Sequence, residues 1–77
     1  MSKELIEYMT KALVEHPEEV NVEEVEDDRG AIINLSVAES DLGRVIGRNG
    51  RTAKAMRAIL SVASTRSDRQ CLLKILE

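Results

Sequence analysis

Between about residues 3 and 15, apolar residues recur at three- and four-residue steps, and charged residues occupy the positions between them. The apolar set consists of Leu5, Ile6, Met9, Ala12, Leu13 and Val14. This spacing predicts an amphipathic helix, because it places these side chains on one face. We expect Ser2 to cap its start and Pro17 to end it, since proline disfavours helical geometry at the preceding residue. His16 then lies at the negative end of the helix, where we expect it to act as a capping residue and not as a catalytic one.

Two stretches that alternate between apolar and polar residues predict a β-hairpin. The first runs from about Val20 to Glu26, and its alternation slips once, which predicts an edge strand that can hold a bulge. The second runs from Ala31 to Val37, and residues 27–30 between them have the composition of a turn. The second strand is expected to carry Ile33, Leu35 and Val37 on one face and Ile32, Asn34 and Ser36 on the other.

After the hairpin, the pattern predicts a short helix, a longer helix and a last strand. Ser40 or Asp41 can cap the short helix, and Gly47 ends it after Ile46. The longer helix reaches about Ser64, and the strand covers residues 70–76 with aliphatic side chains on both faces. We expect the buried side chains of the two helices to be Leu42, Val45, Ile46, Ala53, Met56, Ile59, Leu60 and Ala63.

The order helix, strand, strand, helix, helix, strand predicts a single α+β domain over residues 1–77. The hairpin strands are antiparallel neighbours, and a right-handed crossover through two helices allows the last strand to pair in parallel with one of them. One layer of helices is therefore expected to cover one face of a three-stranded mixed sheet.

The charges divide the chain into two parts. The formal net charge is −3, but residues 1–43 hold twelve acids and three bases, whereas residues 44–77 hold eight bases and two acids. The first part is thus −9 and the second +6, an asymmetry that indicates a surface for nucleic acid or an acidic partner. The acidic residues between positions 18 and 28 are expected to be a solvated face without a metal, and they would repel RNA.

The remaining composition narrows the class of protein. The chain has a single cysteine, Cys71, which excludes an internal disulfide and is typical of a protein from a reducing cytosol. We expect Cys71 to be a small buried residue of the last strand. The sequence has no predicted signal peptide or membrane span, so we expect a cytoplasmic protein. Tyr8 is the sole aromatic residue, which leaves little capacity for recognising bases by stacking.

The segment Val45-Ile46-Gly47-Arg48-Asn49-Gly50-Arg51 combines a flexible turn with cations. Its two glycines can adopt backbone angles that are costly for other residues and leave the backbone accessible. The following helix begins with N–H groups that lack intrahelical partners and favour an anion. Arg51, Lys54 and Arg57 continue the positive charge at three-residue steps. We expect this segment to bind a phosphate backbone.

Other readings of the same glycines are weaker. As a helix end and a turn residue they would need no ligand, but that leaves the cations unexplained. The spacing between Gly43 and Gly50 does not fit a Walker A loop, and a dinucleotide fingerprint lacks its first glycine. One histidine and one cysteine on separate elements do not indicate nucleophilic catalysis. We therefore predict a non-enzyme without a cofactor.

The sequence resembles a KH domain. Val45-Ile46-Gly47-Arg48-Asn49-Gly50 is similar to the family signature V-I-G-x-x-G, and the element order α-β-β-α-α-β is similar to the type II form of the fold. The length, the helix ending in Glu15-His16-Pro17-Glu18, and the basic helix after the turn resemble the small bacterial single-KH proteins of the KhpA family.

The resemblance implies a single-stranded RNA, or less often DNA, of about four nucleotides, held by the Gly-x-x-Gly backbone against an apolar groove. On this chain Gly47, Arg48, Asn49 and Gly50 would hold phosphates, and Val45 and Ile46 would belong to the groove floor. Charge and spacing add Arg44, Arg51, Lys54 and Arg57 to this set of RNA-binding candidates. Residues 65–69 would form the variable loop of the family.

The resemblance also implies protein partners. Members of the KhpA family are described as self-associating and as pairing with a larger KH protein, KhpB, in a complex that affects cell elongation and division; roles as RNA chaperones or post-transcriptional regulators are in keeping with this. The alternative function is therefore an interaction module that forms a homodimer or a complex with a larger KH protein. The long helix is a candidate surface, because Ile59, Leu60 and Val62 do not all fit one buried face.

Overall fold

A computed structural model describes residues 2–28, 30–64 and 70–76 of the chain, without the side chains of Ser2, Ala63 and Ser64. The helices and strands are α1 (Ser2–Leu13), β1 (Asn21–Glu26), β2 (Gly30–Ser36), α2 (Leu42–Ile46), α3 (Arg51–Ser64) and β3 (Gln70–Ile75). Short 3-10 turns lie at Pro17–Glu19, Glu39–Asp41 and Arg48–Gly50. The predicted α+β fold and element order are confirmed. The predicted turn residue Arg29 and variable loop at 65–69 lie outside the described residues.

The sheet has the strand order β1-β2-β3, with β1 antiparallel and β3 parallel to β2. The hairpin, the edge position of β1 and the parallel crossover are therefore as predicted. The predicted bulge is wrong, because every residue of β1 pairs with one residue of β2 in an unbroken register. The slip in the pattern arises because Val22 is buried against the helices while Val25 lies on the opposite face of the sheet.

The core lies between the sheet and the helices and consists mainly of aliphatic side chains. The residues that form its centre are Ile6, Val22, Ile33, Leu35, Val45, Met56, Leu60 and Leu73. In β2 the alternate residues Ala31, Ile33 and Leu35 are buried, as the alternation predicts. Burying a side chain of this size stabilises the fold by about 1.5 to 3 kcal/mol.

Two predictions about α3 differ from the structure or lie beyond it. Ile59 is 46% exposed, so its assignment to the buried stripe is wrong. A helix turns by about 100° per residue, which places Ile59 at about 60° beyond Met56 and away from Leu60. Ala63, the other predicted member of the stripe, lies outside the described side chains.

On β3, Cys71 is half-buried, whereas the sequence predicts a buried residue.

The end of α1 is fixed by a side chain from the start of α2. The helix ends at Leu13, two residues earlier than predicted, and the backbone at His16 is non-helical. The Asp41 carboxylate accepts hydrogen bonds from the backbone amides of Glu15 (3.1 Å) and His16 (3.0 Å). Asp41 makes no side-chain bond to the amides of α2, so its predicted capping role is wrong. No such bond is made by Ser40.

Candidate nucleic-acid interface

The Gly-x-x-Gly segment is a tight backbone turn between α2 and α3. Gly47 ends α2, and its amide donates a hydrogen bond to the Gly43 carbonyl at 2.8 Å. The φ angles of Gly47 and Gly50 are +78° and +75°, and Asn49 between them also has a positive φ of +58°. Asparagine is one of the few residues that tolerate this conformation. The turn therefore depends on these three residue types.

The surroundings of the two glycines differ. A methyl group at Gly47 would overlap the side chain of Thr52, whereas no atom lies within 4 Å of a methyl group at Gly50. Gly47 is thus required by both its conformation and the close approach of α3. Gly50 is required by conformation alone, and its outer side is open.

Backbone donors are available in this turn. The Gly50 amide donates to the Gly47 carbonyl (3.1 Å), and the Arg51 amide donates to the Arg48 carbonyl. The amides of Arg48 and Asn49 donate no hydrogen bond to any described residue. Both residues are exposed. Unpaired N–H groups at the start of a helical segment carry partial positive charge and favour an anion.

Four cations lie in this turn and along the helix that follows it, and we call them the basic surface: Arg48, Arg51, Lys54 and Arg57. All four are exposed, and none forms an ion pair with a described residue. Three-residue steps on a helix turn by about 60°, so the stripe on α3 spans about 120° and about 9 Å along the axis. Such a stripe can follow a short phosphate backbone.

Arg44 differs from the cations of the basic surface. Its guanidinium pairs with the Glu15 carboxylate, and its Nε lies 3.8 Å from Asp41 Oδ1. This predicted RNA-binding residue therefore already has acidic partners in the chain. It joins the end of α1 to α2, beside the Asp41 bonds to the Glu15 and His16 amides.

Two other site candidates, Val45 and Ile46, lie at the end of α2. Val45 is fully buried in the core, and Ile46 is half-buried against it. The side chain of Val45 thus supports the turn from within. Ile46 is the member of this pair with surface accessible to a ligand.

A groove of about 330 Å³ runs between α3 and β3. Its lining residues are Arg57, Leu60, Ser61, Gln70, Cys71, Leu72 and Leu73. Arg57 stands at its side and donates from Nε to the Leu73 carbonyl at 3.4 Å. The sequence pattern does not place β3 at the site. The aliphatic residues on both faces of β3 were the available signal, since a strand that lines a groove needs apolar atoms beyond its core-facing positions.

The acidic side of the molecule shows the opposite arrangement. Glu24 and Glu26 are exposed on β1. A hydrogen bond with the Glu26 side chain raises the pKa of Glu24, and partial desolvation and the charge of Glu26 add to the shift.

A group of possible metal ligands follows α1. His16, Glu18 and Glu19 place possible metal-ligand atoms within 4.8 Å of one another. His16 Nδ1 and Glu18 Oε2 are 3.5 Å apart, and both side chains are substantially exposed. Close pairs of this kind are common on protein surfaces and do not by themselves indicate a metal site.

Comparison with known proteins assigns a family to the chain. Residues 3–75 match the family described as KhpA/KhpB, KH domain. A protein named RNA-binding protein KhpA from Halalkalibacterium halodurans is 44% identical over 75 residues, which covers 97% of this chain and 99% of the relative. Proteins of the same name from Chlamydia pneumoniae (43% identical, 97% and 96% covered) and Borreliella burgdorferi (39%, 96% and 90%) are also similar.

No solved structure matches the chain. In the part of the chain that the structure describes, no helix has the length and apolar character needed to cross a membrane.

Proposed function

This chain belongs to the KhpA/KhpB KH-domain family, and from that premise we propose that it binds single-stranded RNA through the Gly47–Gly50 turn and the basic surface. The turn holds phosphates with its free amides, and the cations of α3 follow the backbone of the strand. The relatives named RNA-binding protein KhpA support the ligand class. The function is that of a non-enzymatic RNA-binding protein of the cytoplasm.

The observation that carries the proposal is the coincidence of three features at one place. Among the described residues, the amides of Arg48 and Asn49 have no hydrogen-bond partner and the cations of the basic surface have no acidic partner, and the outer side of Gly50 is open. A solvated face explains exposed cations, but it does not explain unpaired backbone donors between them. A bound anionic chain would pair with the cations and would also accept hydrogen bonds from the backbone donors.

Bases would lie in the groove between α3 and β3. The groove offers the apolar atoms of Leu60, Leu72 and Leu73 and no aromatic ring. Base–aromatic stacking contributes about 1 to 3 kcal/mol per base in proteins that use it, and that contribution is absent here. We therefore expect weak base preference and an affinity that depends steeply on salt, with about 0.7 log–log units per phosphate contact.

The test replaces Arg48 and Asn49 together with Asp. Both side chains are exposed, and aspartate is also tolerated at positive φ, so the fold should remain intact by circular dichroism. Binding of a short fluorescent single-stranded RNA at low salt should be lost, because the turn would then present two carboxylates to the phosphates. Unchanged RNA affinity in a folded variant would refute the proposed site.

A matched control changes the net charge equally in the acidic half. Lys11→Asp combined with Asn21→Asp lowers the charge by three, as Arg48→Asp with Asn49→Asp does, and both positions are exposed. Its RNA affinity should stay within about threefold of the wild type, since distant surface charges are screened. An equal loss in both double variants would show that net charge, and not the turn, governs binding.

A second candidate function is a protein-interaction module on the outer side of α3. Ile59 is 46% and Val62 is 71% exposed there, on the helix predicted for this role. The family description names KhpA and KhpB together, and we propose a larger KH protein as the partner of this surface, in a complex that acts as an RNA chaperone or post-transcriptional regulator. A pure adaptor would show no affinity for short single strands at low salt while still binding its protein partner.

A further inference from the structure

Three charged side chains that are distant along the chain join the end of α1 to the start of α2. Asp41 is 1% exposed, and its two carboxylate oxygens accept hydrogen bonds from the backbone amides of Glu15 and His16. The Glu15 carboxylate pairs with the Arg44 guanidinium, whose Nε lies 3.8 Å from Asp41 Oδ1. We call Glu15, Asp41 and Arg44 the α1–α2 link. Hydrogen bonds to a charged group are stronger than those between neutral groups, so this link fixes the two helix ends firmly.

The direction of α2 depends on this link. The helix has five residues, so it is about 7.5 Å long and too short to be stable by itself. Within α2, Val45 alone is buried, whereas α3 is anchored along its length by Ala53, Met56 and Leu60. The link adds a second fixed point, because Asp41 immediately precedes α2. Loss of the link should therefore move α2 more than α3.

The direction of α2 in turn sets the geometry of the Gly47–Gly50 turn. The Gly47 amide donates to the Gly43 carbonyl of α2 at 2.8 Å, and the turn runs directly into α3 at Arg51. Since only residues 47–50 join the two helices, a rotation of α2 relative to α3 must change the backbone angles of the turn. The turn amides that the proposed RNA site uses would then point in other directions.

The surroundings of Arg44 argue against a direct contact with RNA. Its guanidinium lies close to two carboxylates, those of Glu15 and Asp41, so its positive charge is more than balanced. A phosphate that approached Arg44 would be repelled by both acids. The cations of the basic surface have no acidic partner among the described residues, and this difference separates their role from that of Arg44.

We propose that Asp41 and Arg44 are positioning residues for RNA binding. Through the end of α1 they hold α2, and with it the Gly47–Gly50 turn, in the orientation that presents the turn amides to phosphates. This role presupposes the RNA site proposed above, and it removes Arg44 from the direct contacts of that site. Without the α1–α2 link the turn samples other orientations, and the apparent affinity falls in proportion to the fraction of molecules that remain competent to bind.

The first test removes the buried acid and measures RNA affinity. In Asp41→Asn the side chain keeps its shape but offers one oxygen to two amides, so the α1–α2 link is broken. Loss of a negative charge by itself predicts tighter RNA binding. Loss of the link predicts binding about tenfold weaker, with about one molecule in ten in the competent orientation. Fluorescence anisotropy with a short single-stranded RNA at low salt measures the affinity, on protein that circular dichroism shows to be folded.

A second variant releases Arg44 from its exposed partner. If Arg44 contacted RNA, Glu15→Gln would tighten binding, because the guanidinium would be free for a phosphate. As a positioning residue Arg44 instead loses its partner, and binding should be about threefold weaker, in keeping with the small energy of an exposed ion pair. Glu7→Gln is the matched control, since it removes the same charge from α1 and Glu7 pairs with Lys11 inside that helix. Its affinity should equal or slightly exceed that of the wild type.

Nuclear magnetic resonance separates a change in the turn from a loss of stability. The backbone amide signals of Gly47 and Gly50 should shift in Asp41→Asn and stay in place in Glu7→Gln. A folded Asp41→Asn protein with unchanged glycine signals and wild-type affinity would overturn the positioning role, because Asp41 would then stabilise the fold alone. If Asp41→Asn does not fold, Glu15→Gln decides, since Glu15 is exposed. Binding by Glu15→Gln as tight as that by Glu7→Gln would also overturn the role.

The double variant Arg48→Asp with Asn49→Asp distinguishes a failure of this role from a failure of the RNA site. If that folded variant binds RNA normally, the proposed site is wrong, and the positioning role is wrong with it. If it loses RNA while Asp41→Asn and Glu15→Gln bind as the wild type does, the site is correct and only the positioning role is wrong.

Discussion

The basic surface and the acidic strand β1 are both exposed and highly charged, yet they differ in what surrounds the charges. On β1 the acids adjoin other acids, and Glu24 bonds to Glu26. β1 is a sheet edge, and charges on an edge discourage pairing with another strand. The cations of the basic surface instead adjoin unpaired amides and an apolar groove. Charge density therefore does not distinguish the two regions by itself, whereas charge beside backbone amides that lack partners among the described residues does, and it makes the basic surface the candidate site.

The largest test of this comparison removes three charges from each region. Replacing Arg51, Lys54 and Arg57 together with Gln should lower RNA affinity about a hundredfold at 0.1 M salt, because each phosphate contact contributes about 0.7 log units there. The log–log salt slope should fall by about 2. Fluorescence anisotropy titrations with one single-stranded RNA at several salt concentrations measure both quantities.

The matched variant replaces Glu23, Glu24 and Glu26 with Gln and removes the same number of charges from the acidic strand. Its RNA affinity should rise by less than about threefold, since these acids act only through long-range, screened repulsion. If the acidic variant changed affinity as much as the basic one, the two regions would be equivalent and the comparison would fail.

An intermediate effect is expected from the backbone of the turn. Gly47→Ala should lower the free energy of unfolding by about 2 kcal/mol, because the positive φ and the overlap with Thr52 both add strain. Gly50→Ala should cost only about 1 kcal/mol, since the positive φ is its one source of strain. Urea unfolding followed by circular dichroism gives both values.

Gly43→Ala is the control for this pair. Gly43 lies inside α2, and no atom lies within 4 Å of a methyl group there, so alanine should stabilise the protein by up to about 1 kcal/mol. Equal costs at Gly47 and Gly50 would show that the Thr52 contact has no energetic role and that only the φ angles matter.

The smallest effect concerns the acidic strand and depends on pH. The pKa of Glu24 is raised in the folded protein by its bond to Glu26, so its stabilising contribution is present at low pH and is lost as pH rises through the raised pKa. Glu24→Gln should therefore increase stability at pH 7, by less than about 0.5 kcal/mol for such an exposed group. Thermal unfolding at pH 7 and below about pH 4 should show a difference that disappears at the lower pH; a constant difference would contradict the assignment.

Local pattern determined most of the fold. The strict alternation of β2 predicts its buried face, because the sheet buries one side of that strand along its length. The error at Ile59 has a geometric cause, since a residue at the margin of a helical stripe is buried only where a neighbouring element reaches it. The slip in β1 predicts room for a bulge, but it arises because Val25 lies on the face of the sheet that the helices leave uncovered, opposite to the buried Val22.

The candidate site was predictable only in part. The turn and the cations were visible in the sequence because glycine spacing and charge are local properties. The partners of Arg44, the bonds of Asp41 to the Glu15 and His16 amides, and the groove beside β3 join residues that are distant along the chain. No local pattern carries that information.

The placement of all three helices on one side of the sheet has a further consequence. The opposite face of the sheet has no covering layer among the described residues, so side chains there such as Val25 and Leu72 keep more than half of their surface in contact with solvent. They stabilise the fold less than core residues of the same size, because the gain from burial scales with the apolar area removed from water. Sequence change should therefore be tolerated more readily on this face than on the face that meets the helices.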